Sequence, residues 1–302
     1  MLGPRGESSG RESPAVALRD LLVYVDREES APLRLRLAAD LARRHASCLT
    51  ALYVREWSPA QWDERKNAEL GLVSAEDLDR LDQRIEASID QPAERLRSAL
   101  ESLKREYGVD AKWQSVNGRA SVVVPQHARY ADLCILSQGT PGGTDSIGYS
   151  FAEQLLFVSG RPVLLVPFLG SFETLGHHIA VAWNSSRASA RAVNDALPLI
   201  ERAEQTTVIT VNPSEFIDRH GAPPAEQIVE HLRRHSASVE GTELTNVAAG
   251  SIPDALQAEA HKIGADLIVA GAFGHPRIWE KLLGGVTRDL LARMSLPMLM
   301  SH

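Results

Sequence analysis

Two cysteines are all that the sequence contains. Cys48 and Cys134 each sit inside an apolar run, SCLTALYV and ADLCILS, and not in a ligand-spaced pair; they read as buried, reduced thiols and not as a disulfide framework or a thiolate metal cage. Long hydrophobic runs are missing as well. No window approaches the roughly 18 uninterrupted apolar residues of a membrane helix, and the leading MLGPRGESSGRESPAVA has no apolar centre of the signal-peptide kind. A cytoplasmic location without membrane contact is the expectation. There is no basic excess: 32 Lys and Arg stand against 39 Asp and Glu, a formal net charge of −7. Binding nucleic acid without sequence choice needs a basic stripe, and none is present. Finally, no Ser/His/Asp order, nucleophile elbow or Walker-type lysine loop occurs, so no catalytic base or nucleophile is assigned and a binding role is expected instead of an enzymatic one.

What is present fits a globular chain with room for two cores of ~150 residues each, at 44% hydrophobic and 24% charged residues. Residues 1–17, rich in Gly, Ser, Pro and charge, read as a mobile tail. The remainder repeats. ADLCILSQ at 131–138 matches ADLIVAGA at 265–272, SGRPVLLVP at 159–167 matches MSLPMLMSH at 294–302, and DLLVYVDRE at 20–28 matches HIAVAWNSS at 178–186. The first two matches are offset by 134 and 135 residues and the third by 158, so the first copy carries about two dozen extra residues between them. The expected domains are 18–170 and 176–302.

Each copy alternates short apolar runs with longer amphipathic segments, the pattern of an open five-stranded parallel sheet with helices on both faces. In the second copy the strands are expected at 179–183, 206–211, 241–247, 266–271 and 297–300. Ser185 and Ser186 can cap its first helix, and Ser251 before Pro253 can cap its third. The first copy repeats this with LLVYV, CLTALYV, AKWQSV, DLCILS and PVLLV. Its extra residues, 56–92, open a helical arm capped by Ser74 with Asp77, with Leu78, Leu81, Ile85 and Ile89 at helical spacing; Pro92 is expected to break or kink that helix. Trp57 and Trp62 can pack the arm on its own domain or meet another subunit.

The most informative stretch is GAFGHPRIWEKLLGGVTRDLLARMSLPMLMSH, from Gly271 onward. Gly271 and Gly274 are separated by two residues, nine follow, and Gly284, Gly285, Val286 and Thr287 then open an apolar periodic segment. This G-x2-G-x9-G pattern, placed after the fourth strand of a five-stranded unit, resembles the nucleotide loop of the universal stress protein family. Together with the repeat and the AWN of the first strand, the resemblance covers residues 18–302. It implies two tandem Rossmann-like domains of the adenine nucleotide alpha-hydrolase-like kind and a stress-response sensor or regulator. The implied ligand is ATP, with Mg, or a related adenine nucleotide. Adenine and ribose would lie at Ala182, Trp183, Asn184 and Val211, and the phosphates at Gly271, Gly274, His275, Gly284, Gly285, Val286 and Thr287. Such a loop can turn its N–H groups towards an anion at a helix start, and glycines permit close approach and positive φ.

Two departures weaken the implied site. Asn184 stands where the family usually carries an aspartate, and Gly285 replaces a Ser or Thr whose hydrogen bond to a phosphate would be worth ~1.5–3 kcal/mol. Arg277, Lys281 and Arg288 lie near the loop in sequence. The first copy departs further: Ser137 stands for Gly271, Tyr149 and Ser150 for the paired glycines, and Glu153 for Arg288, so it reads as ligand-free, with Asp26 a relic or a cap. Gly142 to Ser146, GGTDS, imitates a pyrophosphate loop but follows the wrong strand. His231 and His235, four apart beside Glu230, Arg233 and Arg234, read as a solvated face without a third metal ligand. In the family many single-domain members pair through the last strand, so an internal pseudo-dimer of the two halves is implied, with the 56–92 arm as a surface for a homodimer. A nucleotide-independent interaction module of the same fold is the alternative.

Overall fold

The computed structural model describes residues 18–57, 59–71, 74–138, 151–213, 225–236, 238–272 and 285–302. The tail at 1–17 and the GGTDS stretch lie outside them. Strands form where the apolar runs are continuous, because a parallel strand covered on both faces has no solvent side. β1 (Asp20–Val25), β2 (Cys48–Arg55), β4 (Leu133–Ser137) and β5 (Val163–Val166) are almost wholly buried, and so are β6 (His178–Trp183), β7 (Gln205–Val211), β9 (Leu267–Gly271) and β10 (Met298–Ser301). β3 (Ala111–Asn117) and β8 (Val239–Leu244) are the most exposed strands, each with one buried residue, Ala111 and Val239.

All ten strands belong to one sheet in the order β3-β2-β1-β4-β5-β10-β9-β6-β7-β8. Neighbours are parallel except at the middle, where β5 meets β10 antiparallel with Leu164 opposite Leu299. Each set of five therefore runs 3-2-1-4-5, and the two sets join through their fifth strands. The polar strands β3 and β8 are the outer edges, where unpaired backbone can meet water.

Alternation along each strand separates two cores. One face gathers Val23, Ile135, Leu164, Val181, Val269 and Leu299. It is covered by α1 (Ala31–His45), α3 (Ala75–Tyr107), α6 (Arg187–Ile200) and α7 (Ala225–Arg233). The other gathers Leu22, Cys134, Leu165, Ala180, Ile268 and Met298 under α4 (Ala120–Ala128), α5 (Phe151–Val158), α8 (Ile252–Lys262) and α9 (Gly285–Arg293). Cys134 is fully buried and Cys48 half-buried. No helix among the described residues is long and apolar enough to cross a membrane.

The repeat is visible in its fastenings. Asp132 accepts from the N–H groups of Arg19 and Asp20 at 2.7 and 3.0 Å, and its counterpart Asp266 accepts from Gly176, His177 and His178 at 2.9–3.1 Å. Caps at Ser74 and Ser186 form as expected, to the N–H groups of Asp77 and Ser189. Ser251 makes no side-chain cap, because a short 3-10 turn at Ala249–Ser251 precedes α8. The expected break at Pro92 does not occur: α3 runs through it. The proline withdraws only its own N–H, and Leu81, Ile85 and Ile89 before it and Ala93, Leu96 and Leu100 after it share one buried stripe. The arm packs on its own half. α2 (Pro59–Leu70) brings Trp62 to 4.8 Å from Trp57, whose ring leans on the core.

The segment between the halves is gripped by α1, since Arg36 donates to the Phe172 carbonyl at 2.5 Å and Arg44 to that of Leu175. Arg202 donates to the Arg44 carbonyl at 2.9 Å. His45, only 4% exposed, lies under this contact. Burial first, then the charges of Arg202 and Arg44, push its pKa down to about 4. The unfolded chain protonates this histidine near pH 6.5 and the folded chain does not, so its contribution is complete above pH 6.5 and is lost as pH falls towards 4. Wild type should lose roughly 3 kcal/mol over that window that His45→Gln keeps. Urea denaturation of both at pH 7, 5.5 and 4 checks this, and parallel curves would refute it.

Candidate functional site

In the order 3-2-1-4-5 the chain reverses direction across the sheet between the first and fourth strands, which opens a crevice at their carboxyl ends. There is one such place between β1 and β4 and another between β6 and β9. The strand order is the same at both, and the side chains are not.

Between β6 and β9 three of the places hold small residues, Ala182, Ala192 and Gly271. Ala182 pairs with Ala270, and Ala192 lies buried behind them in α6. Gly271 closes β9 against the first turn of α6: a Cβ placed on it would stand 2.4 Å from the Ser189 nitrogen and 2.5 Å from the Ala188 carbonyl carbon. At this position a glycine lets the helix approach the strand closely. That approach sets the amino end of α6 beside the crevice. The turn leading into it is held by Asn184, whose Oδ1 accepts from the Ser186 N–H at 3.1 Å while Ser185 takes φ +56°. The amide does the turn-closing work that a carboxylate would do here. Trp183 and Val211 are half-buried, Trp183 leaning on one core and Val211 on the other.

One wall residue carries no signal in the glycine motif. Asn212, at φ +48°, donates from Nδ2 to the Val247 carbonyl at 2.7 Å and accepts from the Val247 N–H at 3.0 Å. It ties the carboxyl ends of β7 and β8 together and so fixes Val211. An Asn-Pro pair straight after a strand is the sequence feature that marks such a turn.

Of the remaining candidates, Gly274, His275 and Gly284 lie outside the described residues, as do Arg277 and Lys281. Gly285 and Val286 start α9, and Thr287 in its first turn is buried. The loop's entry is pinned by the Ala272 N–H donating to the Ser301 carbonyl at 2.8 Å. Arg288, a candidate phosphate cation, turns towards the first half, where its Nε donates to Glu153 Oε1 at 3.1 Å.

Between β1 and β4 large side chains occupy the equivalent places. Tyr24 stands for Ala182, Arg34 for Ala192 and Ser137 for Gly271. Arg34 is wholly buried and reaches Asp26 Oδ1 at 2.8 Å, the same oxygen that accepts from the Glu28 N–H at 3.0 Å. Asp26 is therefore both a turn cap and the counter-ion of a buried guanidinium. Ser137 donates to Glu28 Oε2 at 2.8 Å, which draws a carboxylate from the β1 side across the crevice to the end of β4. Burial, and next the charge of Asp26, raise the Tyr24 hydroxyl well above its usual range, so it stays neutral. A negative lining bridged by its own hydrogen bonds is a poor place for a polyphosphate.

The topology defines a doubled, doubly wound α/β protein whose two crevices carry different side chains at equivalent places. Residues 176–302 match the model of the Universal stress protein family, so the second half of the chain is a universal stress protein domain. A universal stress protein from Archaeoglobus fulgidus DSM 4304 has a fold similar to nearly the whole chain, with a TM-score of 0.66 at 16% identity over 93% of this chain and 97% of its own. A functionally unknown protein from Pseudomonas aeruginosa PAO1, PA1789, gives 0.54 at 15% identity over 94% and 92%. At these identities the likeness is one of fold, and it extends over both halves. No curated protein matches the sequence.

Gly271→Ala should destabilise by about 1–3 kcal/mol, because its methyl group must push the first turn of α6 off the sheet. Chemical denaturation checks it; an unchanged midpoint would mean that the helix does not press on the strand.

Proposed function

We propose that the second half binds ATP or a related adenine nucleotide at the β6/β9 crevice and that the chain acts as a nucleotide-dependent stress sensor or regulator. In this reading Ala182, Trp183, Asn184 and Val211 flank the base and ribose, and the loop from Gly271 to Thr287 surrounds the phosphates, with Mg as counter-ion. The observation that carries it is the contrast in size and charge between the two crevices. Tyr24, Arg34 and the Glu28–Ser137 bridge stand at one, while Ala182, Ala192 and Gly271 stand at the equivalent places of the other. Backbone N–H groups at the start of α9 supply the anion-facing dipole.

The same reading divides the chain into domains at 18–170 and 176–302 and makes the β5–β10 contact an internal replacement for the pairing of two separate copies. Nucleotide occupancy is the output, and no residue is assigned to turnover.

Isothermal titration with ATP–Mg tests the site on wild type and Gly274→Val. Wild type should bind one nucleotide per chain, and the variant at least about tenfold more weakly, since a branched side chain blocks backbone approach to phosphate. Equal heats in the two proteins, or none in wild type, would leave a nucleotide-independent interaction module as the better account.

A further inference from the structure

The antiparallel contact has a local two-fold axis, and the repeat shows where it passes. Leu164 and Leu299 are counterparts in the two copies, at an offset of 135 residues, and they face each other across β5 and β10. The flanking pairs, Leu165 with Met298 and Val163 with Met300, exchange under the same offset. Near such an axis each residue meets its own counterpart. In a pair of identical halves it would meet itself.

On the face covered by α5 and α9, the residues brought together in this way are Glu153 and Arg288, again 135 apart. Their side chains form an ion pair at 3.1 Å, with Glu153 only 4% exposed and Arg288 47% exposed. A second crossing contact is just as one-sided. Gln138 donates from Nε2 to the carbonyls of Leu291 and Ala292 at 2.6 and 3.1 Å, at the carboxyl end of α9. Its counterpart is Ala272, which has no side-chain donor to return.

We propose that this axis carries a charge code that admits only the unlike half: the partner that fits the β5 face is a copy of the fold with a cation at the position of Arg288. Two first halves joined here would set the nearly sealed carboxylate of Glu153 against itself. Two second halves would oppose Arg288 with Arg288 and lose the Gln138 amide. Like charges at this separation and burial repel, whereas the mixed pair attracts. Duplication within one chain makes the device available, because a true homodimer cannot place opposite charges on one symmetric position. The inference rests on the strand register and not on nucleotide binding.

Thermal unfolding of the full chain with Arg288 replaced tests it, since position 288 is exposed enough to accept other side chains. R288K should stay within about 2 °C of wild type, and R288E, which imitates a pairing of two first halves, should unfold about 5 °C or more below neutral R288Q. Adding E153Q to R288E removes the opposed charge and should recover most of that loss. If R288E is as stable as R288Q, or if E153Q/R288E is no better than R288E, the charge code is wrong.

Discussion

The structure depends on one register, Leu164 against Leu299. With those two leucines opposite each other, two five-stranded sheets become one, and each apolar core runs across the join without a break. A fifth strand left at an edge would expose a buried, uncharged run of four residues, VLLV in one half and MLMS in the other. Pairing them moves the open edges outward to β3 and β8, whose polar, largely exposed residues tolerate water.

On this shared strand order the two copies differ in the side chains that stand at equivalent places. The substitutions at the crevices include tyrosine for alanine at the end of the first strand, arginine for alanine within the first helix, serine for glycine at the end of the fourth strand, and glutamate for serine in the turn after the first strand. Each adds bulk or charge where the other copy has almost none. The buried Arg34 then requires Asp26, since a guanidinium taken out of water must keep a counter-ion. An acidic residue at the position typical of a ligand-binding aspartate is thereby committed to folding. Asn184, freed from any such cation, closes its turn with a neutral amide.

Much of the fold was legible because parallel strands announce themselves as apolar runs and because the repeat could be tested against itself. Both capping serines that sit directly before a helix, Ser74 and Ser186, behaved as local chemistry requires. Ser251 did not, since a preceding tight turn already occupied the helix start, and Pro92 did not break α3, since the apolar stripe on either side of it stays buried. The site was less legible. Gly271 could be found by spacing, but only the approach of α6 reveals that it packs against a helix. Arg34 is hidden in an amphipathic stretch, LRLRLAADLARRH, where its burial follows no local rule. Asn212 was readable as a turn residue, yet its partner Val247, expected inside the third strand of this copy, lies just beyond the end of β8 at Leu244.

The stretch from residue 167 to 177 joins β5 to β6 and is held against α1 through the carbonyls of Phe172 and Leu175. A covalent tether of this kind replaces encounter in solution with an effective concentration on the order of millimolar. Separate subunits come apart on dilution, at a point set by their dissociation constant. The two halves here carry their partner with them, so the ten-stranded sheet persists however scarce the protein becomes.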